Sequence, residues 1–144
     1  VEACEFNASF LQFHPTIAVI TNIEEDHLDF YKDIDDIAHA FARFCALLPE
    51  NGVCIGNGDD PRVAALLGRQ TCRTVSYGLG QDNQWRPLNL RYDETGCAEF
   101  DFALAGKPVA HTHLLVPGEF NVMHALATMA ACVEAGAQPE AVAA

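Results

Sequence analysis

The sequence predicts an α/β fold, in which a mostly parallel sheet is flanked by helices and carries a small antiparallel β subdomain. Two short β-branched runs, at residues 17–21 and 53–55, are typical of strands buried on both faces of a parallel sheet. Between them, apolar residues recur every three to four positions over residues 33–48, which indicates an amphipathic helix. Beyond residue 73, alternating apolar and polar residues are separated by turn residues at hairpin spacing.

The predicted elements follow the chain in a simple order. The helix over residues 33–48 begins with acidic residues, which suit the positive end of a helix dipole. After the second strand, the turn at residues 57–61 leads into a short helix that runs to about residue 67, with Pro61 at its start. A last long helix is predicted from Phe120 to Ala135. Four further strands are predicted at residues 74–77, 88–92, 98–104 and 109–116.

The composition predicts a packed globular domain that does not bind nucleic acid. The length of 144 residues is that of one domain, and 50% of the residues are hydrophobic. The 8 basic and 20 acidic residues give a net charge of −12, whereas binding to nucleic acid requires Lys and Arg to neutralise phosphates. A phosphate-bearing small molecule is compatible with this charge if a metal ion lies between its phosphates and the carboxylates.

The same composition argues against a membrane or secreted protein. No apolar run approaches the roughly 20 residues that a membrane span needs, and Glu2 and Glu5 stand where a signal peptide would be basic. The 6 cysteines are scattered without a C-x-x-C pair, which favours reduced thiols over a disulfide framework. We therefore expect a cytoplasmic protein. Because Val1–Cys4 is typical of the end of a strand, we interpret the chain as a fragment.

The densest polar cluster is the loop at residues 22–29, directly after the first predicted strand. Ligands of open α/β sheets bind beyond the carboxyl ends of the strands, so the loop lies where a site is expected. It contains His27 among carboxylates, and a neutral imidazole oriented by carboxylates ligates divalent cations. The alternative from spacing alone is a solvated acidic loop that also caps the next helix.

A second candidate ligand is Glu2, near the end of the opening segment. If that segment is a strand parallel to residues 17–21, Glu2 and His27 emerge at the same edge of the sheet. One carboxylate and one imidazole, completed by phosphate oxygens and water, form a plausible Mg²⁺ site. The alternative is that Glu2 is an ordinary surface residue.

Four motifs occur in order along the chain. Residues 2–11 read E-A-C-E-F-N-A-S-F-L and residues 21–29 read T-N-I-E-E-D-H-L-D. Residues 57–61 read N-G-D-D-P, and residues 118–125 read G-E-F-N-V-M-H-A. Together they resemble the central domain of the Mur ligase family, with its patterns E-A-x-E-x-x-x-S-F-L, T-N-I-E-x-D-H-x-D, N-x-D-D-P and G-x-H-N-x-x-N-A. The resemblance implies that residues 1–144 are a central ATP-binding domain of the P-loop type, truncated at its N-terminus.

The resemblance also implies roles for individual residues. Glu2 and His27 match catalytic Mg²⁺ ligands that bridge to ATP, and Asn121 matches a residue that reads the edge of adenine. His124 stands where the motif usually has a second Asn, and we assign it to the same nucleotide site. Because an imidazole lacks the paired donor and acceptor of an amide, stacking or helix packing is the alternative role for His124. Phe120 also departs from the motif, which usually has His there.

The implied activity is that of a ligase with ATP and Mg²⁺ as cofactors. Such an enzyme activates a carboxylate as an acyl phosphate and joins L-alanine to UDP-N-acetylmuramate in peptidoglycan precursor synthesis. Related ligases that add later amino acids carry a carbamylated lysine in the following helix, where this chain has Ala42. Its absence favours the alanine-adding members of the family.

The resemblance places several functional parts outside these residues. The substrate pockets are expected in separate N- and C-terminal domains, and the loop G-x-x-x-x-G-K-[ST] is expected upstream of Glu2. We therefore expect the fragment alone to be inactive. Alternatives are a tripeptide-recycling Mur ligase, a folylpolyglutamate-type ligase, or a binding module without catalysis.

Two further histidines, His111 and His113, lie on one face of a predicted strand. This spacing is compatible with a metal site, and equally with a solvent-facing strand surface.

Overall fold

The computed structural model describes residues 1–143 and contains one six-stranded sheet in which the strands follow each other in chain order. No helix in this range combines the length and the apolar character needed to cross a membrane. The helices are α1 (Ile34–Cys45), α2 (Pro61–Leu67), α3 (Glu119–Glu134) and α4 (Pro139–Ala143). The strands are β1 (Ile17–Ile20), β2 (Val53–Asn57), β3 (Arg73–Tyr77), β4 (Trp85–Tyr92), β5 (Cys97–Leu104) and β6 (Lys107–Pro117).

The sheet changes from parallel to antiparallel pairing at β4. Strands β1 to β4 run parallel, whereas β4, β5 and β6 form an antiparallel meander. The two parts are joined by a single residue pair, Tyr77 and Trp85, and both of these side chains are buried. The predicted α/β fold with a mostly parallel sheet is confirmed, and the antiparallel strands continue the same sheet.

The two faces of the sheet carry two hydrophobic cores. Cys54 and Ile55 are neighbours on β2 and are both fully buried, but they point to opposite faces. The core that contains Cys54 packs against α1 and α2, and the core that contains Ile55 packs against α3 through Leu126. Burial of each large side chain contributes about 1.5–3 kcal/mol, so the layers hold the strand ends in fixed positions.

The helix starts that position the loops are capped by acidic side chains. The side chain of Asp33 accepts a hydrogen bond from the backbone N–H of Asp36, 3.0 Å away, at the start of α1. At the start of α2, the carboxylate of Asp60 accepts from the N–H groups of Arg62 and Val63 at 2.8 and 3.0 Å. Pro61 occupies the first turn, where its missing N–H costs nothing.

Two local predictions are corrected by the structure. Val19 on β1 is 38% exposed, so the prediction that this strand is buried on both faces is wrong. Among the described residues, β1 is the outermost strand of the sheet and borders an open cavity. Val1–Cys4 was predicted to be the end of a strand. It is irregular and pairs with no strand among the described residues. The 3₁₀ segment Phe6–Gln12 and the short helix α4 were not predicted.

Gly56 allows α2 to pack closely on β2, which gives a test of this layer. A Cβ atom at Gly56 would lie 2.6 Å from Cγ1 of Val63, so Gly56→Ala is expected to destabilise the protein by about 1–3 kcal/mol. Gly68 is the matched control, because a Cβ there would meet the carbonyl oxygen of Ala64 at 3.6 Å. Gly68→Ala is expected to be neutral or to stabilise by about 0.4–1 kcal/mol. Urea unfolding measures both, and equal midpoints would contradict the described packing.

Candidate functional site at the carboxyl end of the first strand

The loop after β1 is held in place at its first turn. Ile23 is 1% exposed and packs into the core below the sheet. Its backbone N–H lies 3.4 Å from Oδ2 of Asp60, the residue that caps α2. The hydroxyl of Thr21 donates to the side-chain oxygen of Asn22 at 2.9 Å. The loop is therefore anchored both by an apolar side chain and by a polar contact to the next motif along the chain.

His27 occupies a left-handed backbone conformation with φ of 54°. Residues other than glycine seldom adopt this region, and such positions concentrate at functional sites. Local hydrogen bonds support the conformation: Oδ1 of Asp26 accepts from the N–H of His27 at 2.7 Å. The carbonyl of His27 accepts from the N–H groups of Phe30 and Tyr31 at 2.8 and 2.9 Å.

The imidazole of His27 meets two carboxylates and one aromatic ring. Nε2 lies 3.5 Å from Oε1 of Glu5, and Nδ1 lies 3.6 Å from Oδ1 of Asp26. The ring of Phe6 packs beside the imidazole with a centroid distance of 4.9 Å. The side chains of His27 and Glu5 are 30% and 31% exposed, so the group lies at the surface but is partly enclosed.

The donor set fits a divalent cation. One ligand atom each from Glu5, Asp26 and His27 lie within 4.8 Å of one another. Carboxylate oxygens are the ligands that Mg²⁺ prefers, and it usually binds only one or two of them while water and substrate phosphates complete its octahedron. Partial exposure leaves room for those further ligands. The residues present therefore fit the magnesium ion that the sequence predicts at this edge.

An open cavity of about 960 Å³ lies beside β1 and borders this group. Five acidic side chains line it, and their repulsion would disfavour a phosphate-bearing ligand without a cation between them. The acidic lining residues are Glu2, Glu5, Glu24, Glu25 and Asp26.

The structure does not place the two predicted metal ligands, Glu2 and His27, in direct contact. Glu2 is exposed and lines the cavity, whereas the carboxylate that contacts His27 is that of Glu5. The pairing of Glu2 with His27 on one magnesium ion stays a prediction. Sequence reasoning missed Glu5, although it belongs to the same E-A-x-E motif. The prediction assumed the end of a strand at Val1–Cys4, whereas the structure has irregular backbone there, and the carboxylate that reaches His27 is that of Glu5.

The predicted nucleotide residues lie on the first turns of α3. Nδ2 of Asn121 donates to the carbonyl of Pro117 at 2.8 Å, which ties the helix start to the end of β6. His124 is exposed and lines the same cavity as Glu2 and Asp26. Its ring lies edge-on to Phe120 with a centroid distance of 5.9 Å. The structure thus brings His124 and the acidic loop to one cavity.

His111 and His113 lie on a solvent-facing surface of the meander and pair with carboxylates. Nδ1 of His111 lies 2.8 Å from Oδ1 of Asp101, and Nε2 of His113 lies 3.2 Å from Oδ2 of Asp93. Hydrogen bonds from Thr95 and the backbone of Cys97, together with His113, lower the pKa of Asp93 to about 2. Both histidine side chains are about half exposed, at 58% and 49%. The solvent-facing alternative is the one that the structure supports.

Asp60 connects the site loop to α2, and its removal tests that connection. Asp60→Ala removes a helix cap and the contact to the N–H of Ile23, so we expect a loss of about 1 kcal/mol in the free energy of unfolding. Amide hydrogen exchange at Ile23 is expected to become faster in the same variant. Asp82→Ala is the control, because Asp82 is exposed in the loop before β4. Unchanged exchange at Ile23 in Asp60→Ala would show that the loop is held by other contacts.

Comparison with known proteins identifies relatives of this chain. The model of the Mur ligase middle domain matches residues 3–132. A UDP-N-acetylmuramate--L-alanine ligase from Clostridium beijerinckii is 43% identical over 128 residues, which cover 89% of this chain and 28% of that protein. The chain thus spans less than a third of the length of this relative.

Solved structures show the same fold. A UDP-N-acetylmuramate:L-alanyl-gamma-D-glutamyl-meso-diaminopimelate ligase from Neisseria meningitides superimposes with a TM-score of 0.80 at 24% identity, over 94% of this chain and 40% of that one. MurF ligase from Thermotoga maritima, solved in complex with ADP, superimposes with a TM-score of 0.70 at 18% identity, over 95% of this chain and 32% of that one. At these identities the likeness concerns the fold.

Proposed function

This chain belongs to the Mur ligase family, and we propose that it is the central ATP-binding domain of a ligase that joins L-alanine to UDP-N-acetylmuramate. The observation that carries the proposal is His27, which lies after the carboxyl end of β1 against Glu5 and Asp26, two carboxylates that line a large cavity. The relative from C. beijerinckii, whose name states this activity, supports the choice of substrates. Ala42 on α1 also supports it, because the ligases that add later amino acids carry a lysine there.

The reaction requires activation of a carboxylate, since a carboxylate does not expel oxide. A lactyl carboxylate oxygen attacks the γ-phosphorus of ATP, and the bond to the β-phosphate oxygen breaks to release ADP. The α-amine of L-alanine then attacks the carbonyl carbon of the acyl phosphate. The tetrahedral intermediate expels inorganic phosphate and loses the amine proton, which leaves an amide bond. Both steps bring anionic groups together, so a site for them has to neutralise charge.

The residues of this chain are assigned to holding and orienting the reacting phosphates. Glu2 and His27 would hold Mg²⁺, and Asp26 would support the loop conformation by accepting from the backbone N–H of His27. When bound there, the ion would neutralise charge on the phosphates and act as a Lewis acid. The acidic cavity would then suit a triphosphate, because the ion would offset the repulsion between the carboxylates and the phosphate oxygens.

The nucleotide base is assigned to the start of α3. The side-chain nitrogen of Asn121 donates a hydrogen bond to the carbonyl of Pro117. We therefore assign its side-chain oxygen to accept a hydrogen bond from the exocyclic amino group of adenine. His124 borders the cavity one turn further along the helix, where its ring is placed to stack on the base or ribose. The neighbouring ring of Phe120 limits the orientations of His124.

The metal assignment is tested by Glu2→Ala and His27→Ala in the full-length protein. Each is expected to lower kcat/KM by at least about 100-fold. Loss of a residue that only orients a metal ligand lowers activity by about 10–100-fold, and loss of the ligand itself is expected to have a larger effect. The far-UV circular dichroism is expected to stay unchanged. His39→Ala is the control, since His39 is exposed on α1. Turnover like that of wild type at saturating Mg²⁺ in either ligand variant would refute the assignment of that residue.

The amino-acid substrate is tested by measuring ADP release from the full-length protein with UDP-N-acetylmuramate. L-Alanine is expected to support turnover at least about 100-fold better than the tripeptide L-Ala-γ-D-Glu-meso-diaminopimelate. A pocket whose polar groups are paired by one substrate strongly disfavours a substrate that leaves them unpaired. L-Glutamate with a folate substrate is expected to give none. Preference for the tripeptide would assign the protein to the recycling ligases, and activity with glutamate and folate to the folylpolyglutamate type.

A further inference from the structure

Three residues around the site form a closed ring of contacts. Oε1 of Glu5 lies 3.5 Å from Nε2 of His27. The carbonyl of His27 accepts from the backbone N–H of Tyr31 at 2.9 Å. The hydroxyl of Tyr31 donates to the carbonyl of Glu5 at 2.5 Å, which closes the ring. Tyr31 therefore contacts the main chains of both residues whose side chains face each other.

Besides the packing of Phe6 against His27 and Phe30, the segment that carries Glu5 has little hydrogen-bonded support toward the loop. It forms no strand pair, and the two residues after Phe6 adopt left-handed conformations, with φ of 55° for Asn7 and 52° for Ala8. The hydroxyl of Ser9 bonds to carbonyls within the same segment. The described hydrogen bond that reaches from the segment to the loop around His27 comes from Tyr31.

Tyr31 is suited to this task because it is fixed itself. Its side chain is only 4% exposed and packs in the core below the sheet, and the ring of Phe30 packs edge-on against it at 4.9 Å. A buried tyrosine hydroxyl normally has one specific hydrogen-bond partner, and here the partner is the main chain of Glu5. The buried side chain of Tyr31 thus fixes the main chain of Glu5, and with it the pair of Glu5 and His27, relative to the core.

We propose that Tyr31 is a positioning residue that holds the carboxylate of Glu5 against Nε2 of His27 and thereby presents Nδ1 of His27 to the cation. Imidazoles that ligate metals generally donate their other N–H to a carboxylate, which fixes the tautomer and the ring orientation. Glu5 faces Nε2, so the lone pair is left on Nδ1, on the side of Asp26. The separation of 3.5 Å lies at the outer limit of hydrogen-bond distance. This inference rests on the proposed role of His27 as a cation ligand.

The test uses the full-length protein with Tyr31→Phe, which removes one hydroxyl and keeps the buried ring. Mn²⁺ binding in the presence of ATP, followed by electron paramagnetic resonance, is expected to weaken by about 10-fold. The KM for Mg²⁺ is expected to rise similarly, while the KM for L-alanine stays unchanged. Glu5→Gln is expected to weaken Mn²⁺ binding to a similar degree, and the double variant no further, because both changes act on the same contact. Tyr92→Phe is the control, since Tyr92 is exposed on β4.

A second readout needs no metal. In protein labelled with ¹⁵N-histidine, the resonances lost in His27→Ala identify His27, and they are expected to report Nε2–H as the main tautomer at mildly alkaline pH. Tyr31→Phe and Glu5→Gln are expected to shift this tautomer ratio, whereas Tyr92→Phe leaves it unchanged. A role of Tyr31 in stability alone would lower the unfolding temperature without moving these resonances.

The outcomes separate this inference from the proposed function. If His27→Ala abolishes cation binding but Tyr31→Phe matches Tyr92→Phe in both affinity and resonances, the inference is overturned and the proposed function stands. If His27→Ala binds Mn²⁺ like wild type, the proposed function is overturned. In that case an unchanged His27 tautomer in Tyr31→Phe overturns the contact ring as well.

Discussion

The parallel pairing of β1 with β2 is the constraint on which the site depends. Ile20 pairs with Gly56, so both strands end at the same edge of the sheet. The loop that contains His27 therefore leaves the sheet beside the turn that ends in Asp60, although more than thirty residues separate them in sequence. An antiparallel pairing would have sent the two polar motifs to opposite edges. The contact from Ile23 to Asp60 is the direct consequence of this register.

A second constraint is electrostatic. The chain has a net charge of −12, and several of its acidic side chains converge on the cavity beside β1. Carboxylates that face one another raise the free energy of the site, and a bound cation relieves this repulsion. The negative charge of the chain is therefore consistent with the proposed site for a nucleotide bound together with magnesium.

The site also stores local backbone strain. Asn7, Ala8 and His27 all adopt left-handed conformations, and each costs of order 1 kcal/mol or more relative to ordinary backbone. The burial of Ile23 and Tyr31 offsets this cost, since both side chains are almost fully enclosed. The packing of buried residues in the core thus stabilises the left-handed residues at the surface. Such an arrangement keeps a polar group in one orientation before a ligand arrives.

The sequence by itself determined the elements and the order of the motifs. The spacing in α1, the cap at Asp60 and the alternation along β5 depend on neighbours within a few residues, so they are visible in the sequence. Tertiary structure alone decided that Val19 borders an open cavity, that the meander continues the parallel sheet and that Glu5 lies against His27. These features depend on contacts between distant segments, whose geometry follows from packing and hydrogen bonding of the whole chain. The periodicity and spacing of residues in the sequence do not predict such contacts.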